Sequence, residues 1–107
     1  MAEIRVFCFD IDGTILTSQP DGNYGNATPI AGRLEHLREL KNQGHYIKLF
    51  TARGSRSGKN WREVTEAQII QWSIPCDELI LGKPHADVYI DDKACHPDDY
   101  DWSSTFS

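Results

Sequence analysis

The sequence predicts an α/β fold in three layers, a parallel β-sheet with helices on both faces. Two observations carry that expectation. Short apolar runs at Ile4–Phe9, Tyr46–Thr51, Glu78–Leu81 and Val88–Ile90 alternate with two helical patterns, which implies right-handed βαβ units and a parallel sheet. Polar residues then collect just past the apolar runs: Asp10 and Asp12, Thr51, Lys83, and Asp91 with Asp92. In an open parallel sheet of this Rossmann-like kind, ligands bind beyond the carboxyl ends of the strands.

The elements follow in order. Ile4–Phe9 is nearly all apolar, as expected of a strand buried on both faces, and Cys8 within it is expected to pack in the core. Residues 13–27, GTILTSQPDGNYGNA, are rich in turn formers, and Pro20-Asp21-Gly22 reads as a hairpin tip. Thr28 is expected to cap a helix with Pro29 in its first position. Ile30, Leu34, Leu37 and Leu40 form that helix's apolar stripe and Gly44 ends it. YIKLFT is the second strand, and residues 52–60 form a polar loop. Trp61–Ser73 is the second helix, stopped by Pro75. ELIL is the third strand, GKPHAD a turn, and VYI the fourth strand. The last twelve residues, HPDDYDWSSTFS, read as a short helix or a docked tail. His36 and His45 are expected at the surface or at helix ends.

The chain of 107 residues is expected to form a single domain. Its net charge of −5 argues against a nucleic-acid or anionic-membrane surface, since both need clustered Lys and Arg. No apolar stretch approaches the ~20 residues of a membrane span, and no signal peptide is recognisable. Cys8, Cys76 and Cys95 form no CxxC pair, so free thiols in a cytoplasmic setting are expected.

Four carboxylates converging on one sheet edge need a cation. An oxygen-rich set suits Mg²⁺, held by carboxylates, waters and a substrate phosphate. Lys83 and the Thr51 hydroxyl can hold phosphate oxygens. Gly13 permits close backbone approach, so amides around Asp12, Gly13 and Thr14 are expected to face the same group. The chemistry this set suits is phosphoryl transfer. Asp10 can attack phosphorus while Asp12, on the same face of an extended chain, handles a proton. Crowding two carboxyls raises the pKa of one of them, as a general acid requires. Zinc is a poor match for DDKACH with His85, because the spacing is irregular.

DIDGT, LFTAR, GKP and VYIDD, in that order at strand ends, resemble the four motifs of the haloacid dehalogenase superfamily. The resemblance implies a single hydrolase domain over residues 1–107. It implies Asp10 as nucleophile and Mg²⁺ ligand, and Asp12 as acid/base that also gives the metal its backbone carbonyl. Thr51 and Lys83 would bind phosphate, Asp92 would ligate Mg²⁺, and Asp91 would orient Lys83 or a water. The segments 13–27 and 82–87 are too short for the cap domain common in that superfamily, so a capless member is implied. LGKPHADVYIDDKA also resembles small phosphatases of surface-polysaccharide and sugar-phosphate synthesis. Arg53, just past Thr51, and Tyr24, on the turn-rich segment overhanging the site, are candidate substrate contacts.

The expected function is a Mg²⁺-dependent phosphomonoesterase acting on a small phosphorylated metabolite such as a sugar phosphate, with a neighbouring copy completing the open site. A polynucleotide end phosphatase shares the chemistry but needs a basic groove. A receiver-like signalling domain or phosphate-binding module is the non-enzymatic alternative. A receiver, however, places its phosphoacceptor Asp at a middle strand end, where this chain has Thr51.

Overall fold

The computed structural model describes residues 3–103. The chain runs through β1 (Val6–Asp10), a 3₁₀ turn (Tyr24–Asn26), α1 (Arg33–Asn42), β2 (Tyr46–Thr51), α2 (Arg62–Gln71) and β3 (Glu78–Leu81). The strands are parallel, in the order β1-β2-β3. Asp10 pairs with Phe50, and Thr51 with Leu81, so the three carboxyl ends finish nearly level. That register brings the polar residues of three segments to one edge.

The core is built from alternate strand residues and one helix stripe. Phe9, Ile47 and Leu49 from the sheet meet Leu34, Leu37 and Leu40 of α1, with Ile11, Ile15 and Leu16 from the loop after β1. The opposite sheet face is open. Val6 and Tyr46 are exposed, and so is Cys8. Here β1 departs from expectation: it alternates in burial because only one of its faces is covered, and Cys8 lies on the open one.

Three further expectations are corrected. Val88–Ile90 is no strand: it has no ladder partner, and Val88 and Ile90 are 70% and 94% exposed. The Tyr89 hydroxyl donates to the Pro84 carbonyl, folding that segment back on itself. The first helix starts at Arg33, not at Pro29. The Thr17 amide donates to the Thr28 carbonyl at 2.8 Å and the Ile30 amide to the Ile15 carbonyl at 3.0 Å, which holds residues 28–30 extended beside the first loop. His36 and His45 are interior, at 4% and 0% exposure. A histidine ring can be buried when its nitrogens are partnered. His36 Nε2 lies 2.7 Å from the Tyr100 hydroxyl, and His45 Nδ1 accepts the Arg5 amide at 3.0 Å.

Residues 98–103 dock as a tail, and the last four residues of the expected tail lie outside the described residues. Tyr100 and Trp102 pack on Phe9, with ring centroids 6.1 and 5.7 Å away, and close over His36 at 5.2 and 5.5 Å. Burial pushes the His36 pKa down, against the backbone of Trp102 and the charge of Asp101, which raise it. A depressed folded-state pKa gives stability that is present above the unfolded value of about 6.5 and lost as pH falls through the folded value. Thermal melts should therefore show an acid-side loss below the ordinary histidine range. His36→Phe should flatten that limb, and an unchanged limb would assign the loss to another group.

Candidate active site

Asp10 is the last residue of β1. Its carboxylate is partly enclosed, with Lys83 Nζ 3.6 Å from Oδ1 and Thr14 Oγ1 donating to Oδ2 at 3.4 Å. Burial raises the Asp10 pKa. Lys83 and the Ile11 amide oppose that, and Asp12 adds to it. For Asp10, desolvation outweighs crowding by Asp12 as the cause.

Asp12 is held in another way. Arg53 donates Nε to Asp12 Oδ2 at 2.9 Å and Nη2 to Oδ1 at 2.8 Å, a bidentate pair. The same guanidinium donates Nη1 to Gln68 Oε1 at 2.6 Å and to Thr65 Oγ1 at 3.0 Å, both on α2. Its carbon lies 5.0 Å from the centre of the Tyr24 ring. Arg53 is 2% exposed. Four of its five donors are committed within the protein, and it fixes Asp12 to α2 while still lining the cavity.

Gly13 makes the turn after Asp12. Its φ is +80°, and a Cβ there would meet Ser18 Oγ at 2.8 Å, so glycine fits the turn best. The expected amide cradle does not form from Gly13 and Thr14. The Gly13 amide donates to the Leu16 carbonyl at 2.7 Å, and the Thr14 amide to Ile11 at 3.2 Å. Thr14 offers the site its hydroxyl instead.

Thr51 is buried, and its Oγ1 accepts the Arg53 amide at 3.1 Å. It lies behind the cavity wall. The Lys83 amide donates to the Thr51 carbonyl at 3.1 Å, and Ser55 Oγ donates to the Lys83 carbonyl at 2.6 Å. These bonds aim the Lys83 side chain at Asp10. Its ammonium also lies 4.4 Å from the centre of the Tyr89 ring.

The cavity at this edge has a volume of about 250 Å³ and is lined by Asp10, Asp12, Arg53 and Lys83, by the aromatic rings of Tyr24 and Tyr89, and by Ser18, Gln19 and Pro20. Asp91 and Asp92 are exposed and do not line it. The fourth strand that was to deliver them is absent, so the structure does not bring them to Asp10. Tyr89, hidden inside the supposed strand, was missed, as were Thr65 and Gln68. Polar residues three apart on a helix that must bury one face were the available signal for that pair.

Among the described residues, no three His, Cys, Asp or Glu side chains form a metal cluster. The set still fits Mg²⁺, which is commonly held by one or two carboxylates with waters and substrate phosphates. Asp10 carries a partly desolvated charge, and Lys83 compensates it only from 3.6 Å.

No family model and no curated protein matches the chain. Solved structures do. A target protein from Vibrio cholerae aligns with a TM-score of 0.81 at 26% identity, over 95% of this chain and 89% of that one. The D,D-heptose 1.7-bisphosphate phosphatase from B. bronchiseptica, complexed with magnesium and phosphate, gives 0.58 at 16% identity, over 86% of this chain and 54% of that one. A chain of the Pnkp1/Rnl/Hen1 complex gives 0.58 at 23%, over 83% of this chain and 30% of that one. The chain thus spans about half of the phosphatase and under a third of the Pnkp1-complex chain. These likenesses show a Rossmann-like α/β fold. No helix among the described residues is long and apolar enough to cross a membrane.

Proposed function

We propose that this chain is a phosphomonoesterase of the haloacid dehalogenase type that uses Mg²⁺ and forms a covalent phosphate ester on Asp10. One observation carries the reading: Asp10, its charge partly desolvated, stands at a parallel strand end with Lys83 3.6 Å away and an open cavity before it. A desolvated carboxylate is a stronger nucleophile than a hydrated one, and a lysine beside it can hold the transferring phosphoryl group.

In the proposed reaction an Asp10 oxygen attacks phosphorus and the ester P–O bond breaks. The leaving oxygen takes a proton from Asp12, which supplies it only in its neutral form and only by releasing one of its two bonds from Arg53. Water then attacks the aspartyl-phosphate and returns a proton to Asp12, and inorganic phosphate leaves. Bound Mg²⁺ would be held by the Asp10 carboxylate and the Asp12 carbonyl, and supplies neutralising charge for the phosphate. Lys83 holds phosphate oxygens, while Thr51 supports the loop that carries Arg53. Asp91 and Asp92 would contribute only if the segment after Pro84 rearranged.

The substrate we propose is a small phosphorylated metabolite, a sugar phosphate above all. A cavity of about 250 Å³ lined by Tyr24, Tyr89, Ser18 and Gln19 suits a compact hydroxylated group, and the net charge of −5 opposes a polynucleotide. Phosphate release should be measured over sugar phosphates, nucleotides and a 3′-phosphorylated oligonucleotide, with and without chelator, and with acid quench to trap labelled protein. Chelator-sensitive turnover of a sugar phosphate with a trapped phosphoprotein is expected. A kcat/KM far higher on the oligonucleotide would transfer the assignment to nucleic-acid ends, and no turnover of any ester would overturn the enzyme reading.

A further inference from the structure

The docked tail touches the loop that carries Thr14 through one side chain. Arg33, the first residue of α1, donates Nη1 to the Thr14 carbonyl at 2.7 Å. The carbon of the same guanidinium lies over the Trp102 ring, 4.3 Å from its centre. Thr14 in turn donates its hydroxyl to Asp10 at 3.4 Å. The contacts therefore run from Trp102 to Arg33, from Arg33 to the Thr14 carbonyl, and from the Thr14 hydroxyl to the Asp10 carboxylate.

We infer that Arg33 and Trp102 are positioning residues for Asp10, and that the docked tail holds the loop at residues 13–16 in its tight form through them. The inference rests on the function proposed above for its catalytic meaning, but its structural content stands apart. Arg33 adds a tie at the Thr14 carbonyl to those the loop already has. The amides of Thr14, Ile15 and Leu16 all donate to the single Ile11 carbonyl, at 3.2, 3.0 and 3.0 Å. One oxygen shared three ways is a crowded hinge, and the Thr14 carbonyl points away from it to Arg33. A guanidinium has five donors and a flat face, so it can bond the loop and stack on the tail at once. A lysine could make the bond but not the flat stack.

The tail is itself anchored at two further points. Trp102 Nε1 donates to the Pro97 carbonyl at 2.8 Å, and Tyr100 meets His36. Trp102 is thus fixed in place before it receives Arg33. Releasing the tail would leave Arg33 able to bond Thr14 only at the entropy cost of ordering a long side chain unaided.

Hydrogen exchange at Thr14, Ile15 and Leu16 tests the chain of contacts without any substrate. Trp102→Leu keeps apolar bulk but removes the π face, and Trp102→Phe keeps a face. Trp102→Leu should raise loop exchange roughly fivefold, in line with a partly desolvated cation–π contact, and Trp102→Phe should restore most of the protection. Arg33→Ala should raise exchange at least as much, and the double variant should add little to it. Should Trp102→Leu fail to fold, Arg33→Ala against Arg33→Lys carries the same test at a half-exposed position, with Lys restoring only part of the protection. In turnover, both single variants should lower kcat more than they raise KM. Unchanged loop exchange, or equal behaviour of Leu and Phe at position 102, would overturn the inference and leave the tail as packing. Loop coupling in a chain that hydrolyses no phosphate ester would sink the proposed function alone.

Discussion

Asp10→Asn is expected to abolish phosphate release and at the same time to raise the melting temperature in metal-free buffer at neutral pH. The first half follows from chemistry. An amide is close to a carboxylate in shape but has no anionic oxygen to attack phosphorus, so binding can survive while the covalent step cannot. The second half follows from linkage. Burial raises the pKa of Asp10, so its folded-state contribution is fully present below the unfolded carboxyl pKa and lost as pH rises through the raised folded value. At neutral pH the ionised group is a liability, since Lys83 offsets it only from 3.6 Å. Replacing it with a neutral isostere removes that liability. Turnover assays and melts from acid to neutral pH check both halves, and the gap between variant and wild type should widen as pH rises. Retained turnover would remove Asp10 from the nucleophile role, while a variant less stable at neutral pH than wild type would show that Lys83 and Thr14 already over-compensate the charge.

The elements that sequence made legible are those whose own period specifies them. β2 falls at Tyr46–Thr51 and β3 at Glu78–Leu81, as the apolar runs imply, because each has a neighbour on the sheet and a clear stop. Of the expected stripe, Leu34, Leu37 and Leu40 are buried on α1, while Ile30 lies before the helix and is only half-buried. Failures occur where tertiary contacts compete with local pattern. Thr28-Pro29 is a good helix start in isolation, yet backbone bonds to Thr17 and Ile15 claim that stretch. Val88–Ile90 has strand propensity, but a strand is only as real as its ladder, and no neighbour provides one. Asp10, Asp12 and Lys83, read from their positions at strand ends, line one cavity. The pairing of Asp12 with Arg53 was not legible, because it joins residues 41 positions apart and depends on Thr65 and Gln68 turning inward from α2. Charges that will be buried together look, in a sequence, the same as charges that will be solvated.

That pairing supports the other large effect expected here. Arg53→Ala should destabilise the fold by about 3 kcal/mol, because removing one partner of a buried ion pair strands the other. Asp12 retains some solvent, its side chain 19% exposed against 0% for Arg53, which puts the loss at the lower end of the usual ~3–5 kcal/mol. Gln68 and Thr65 would also lose a donor, and the loop after β2 would lose its tie to α2. For a domain of this size the shift in melting temperature should be roughly 10–20 °C. Arg53→Lys should fall between, since an ammonium keeps the charge but cannot bond both Asp12 oxygens and two α2 side chains in one plane. The double variant Arg53→Met with Asp12→Leu should lose much less than the sum of its singles, because it leaves no charge unpaired. It should nevertheless be inactive, as Asp12 is gone. Chemical denaturation of the single and double variants measures the coupling, and kcat against KM for Arg53→Lys measures the positioning. Additive losses in the double variant would mean that Arg53 is held by α2 and Tyr24 alone, with its contact to Asp12 contributing nothing to the fold.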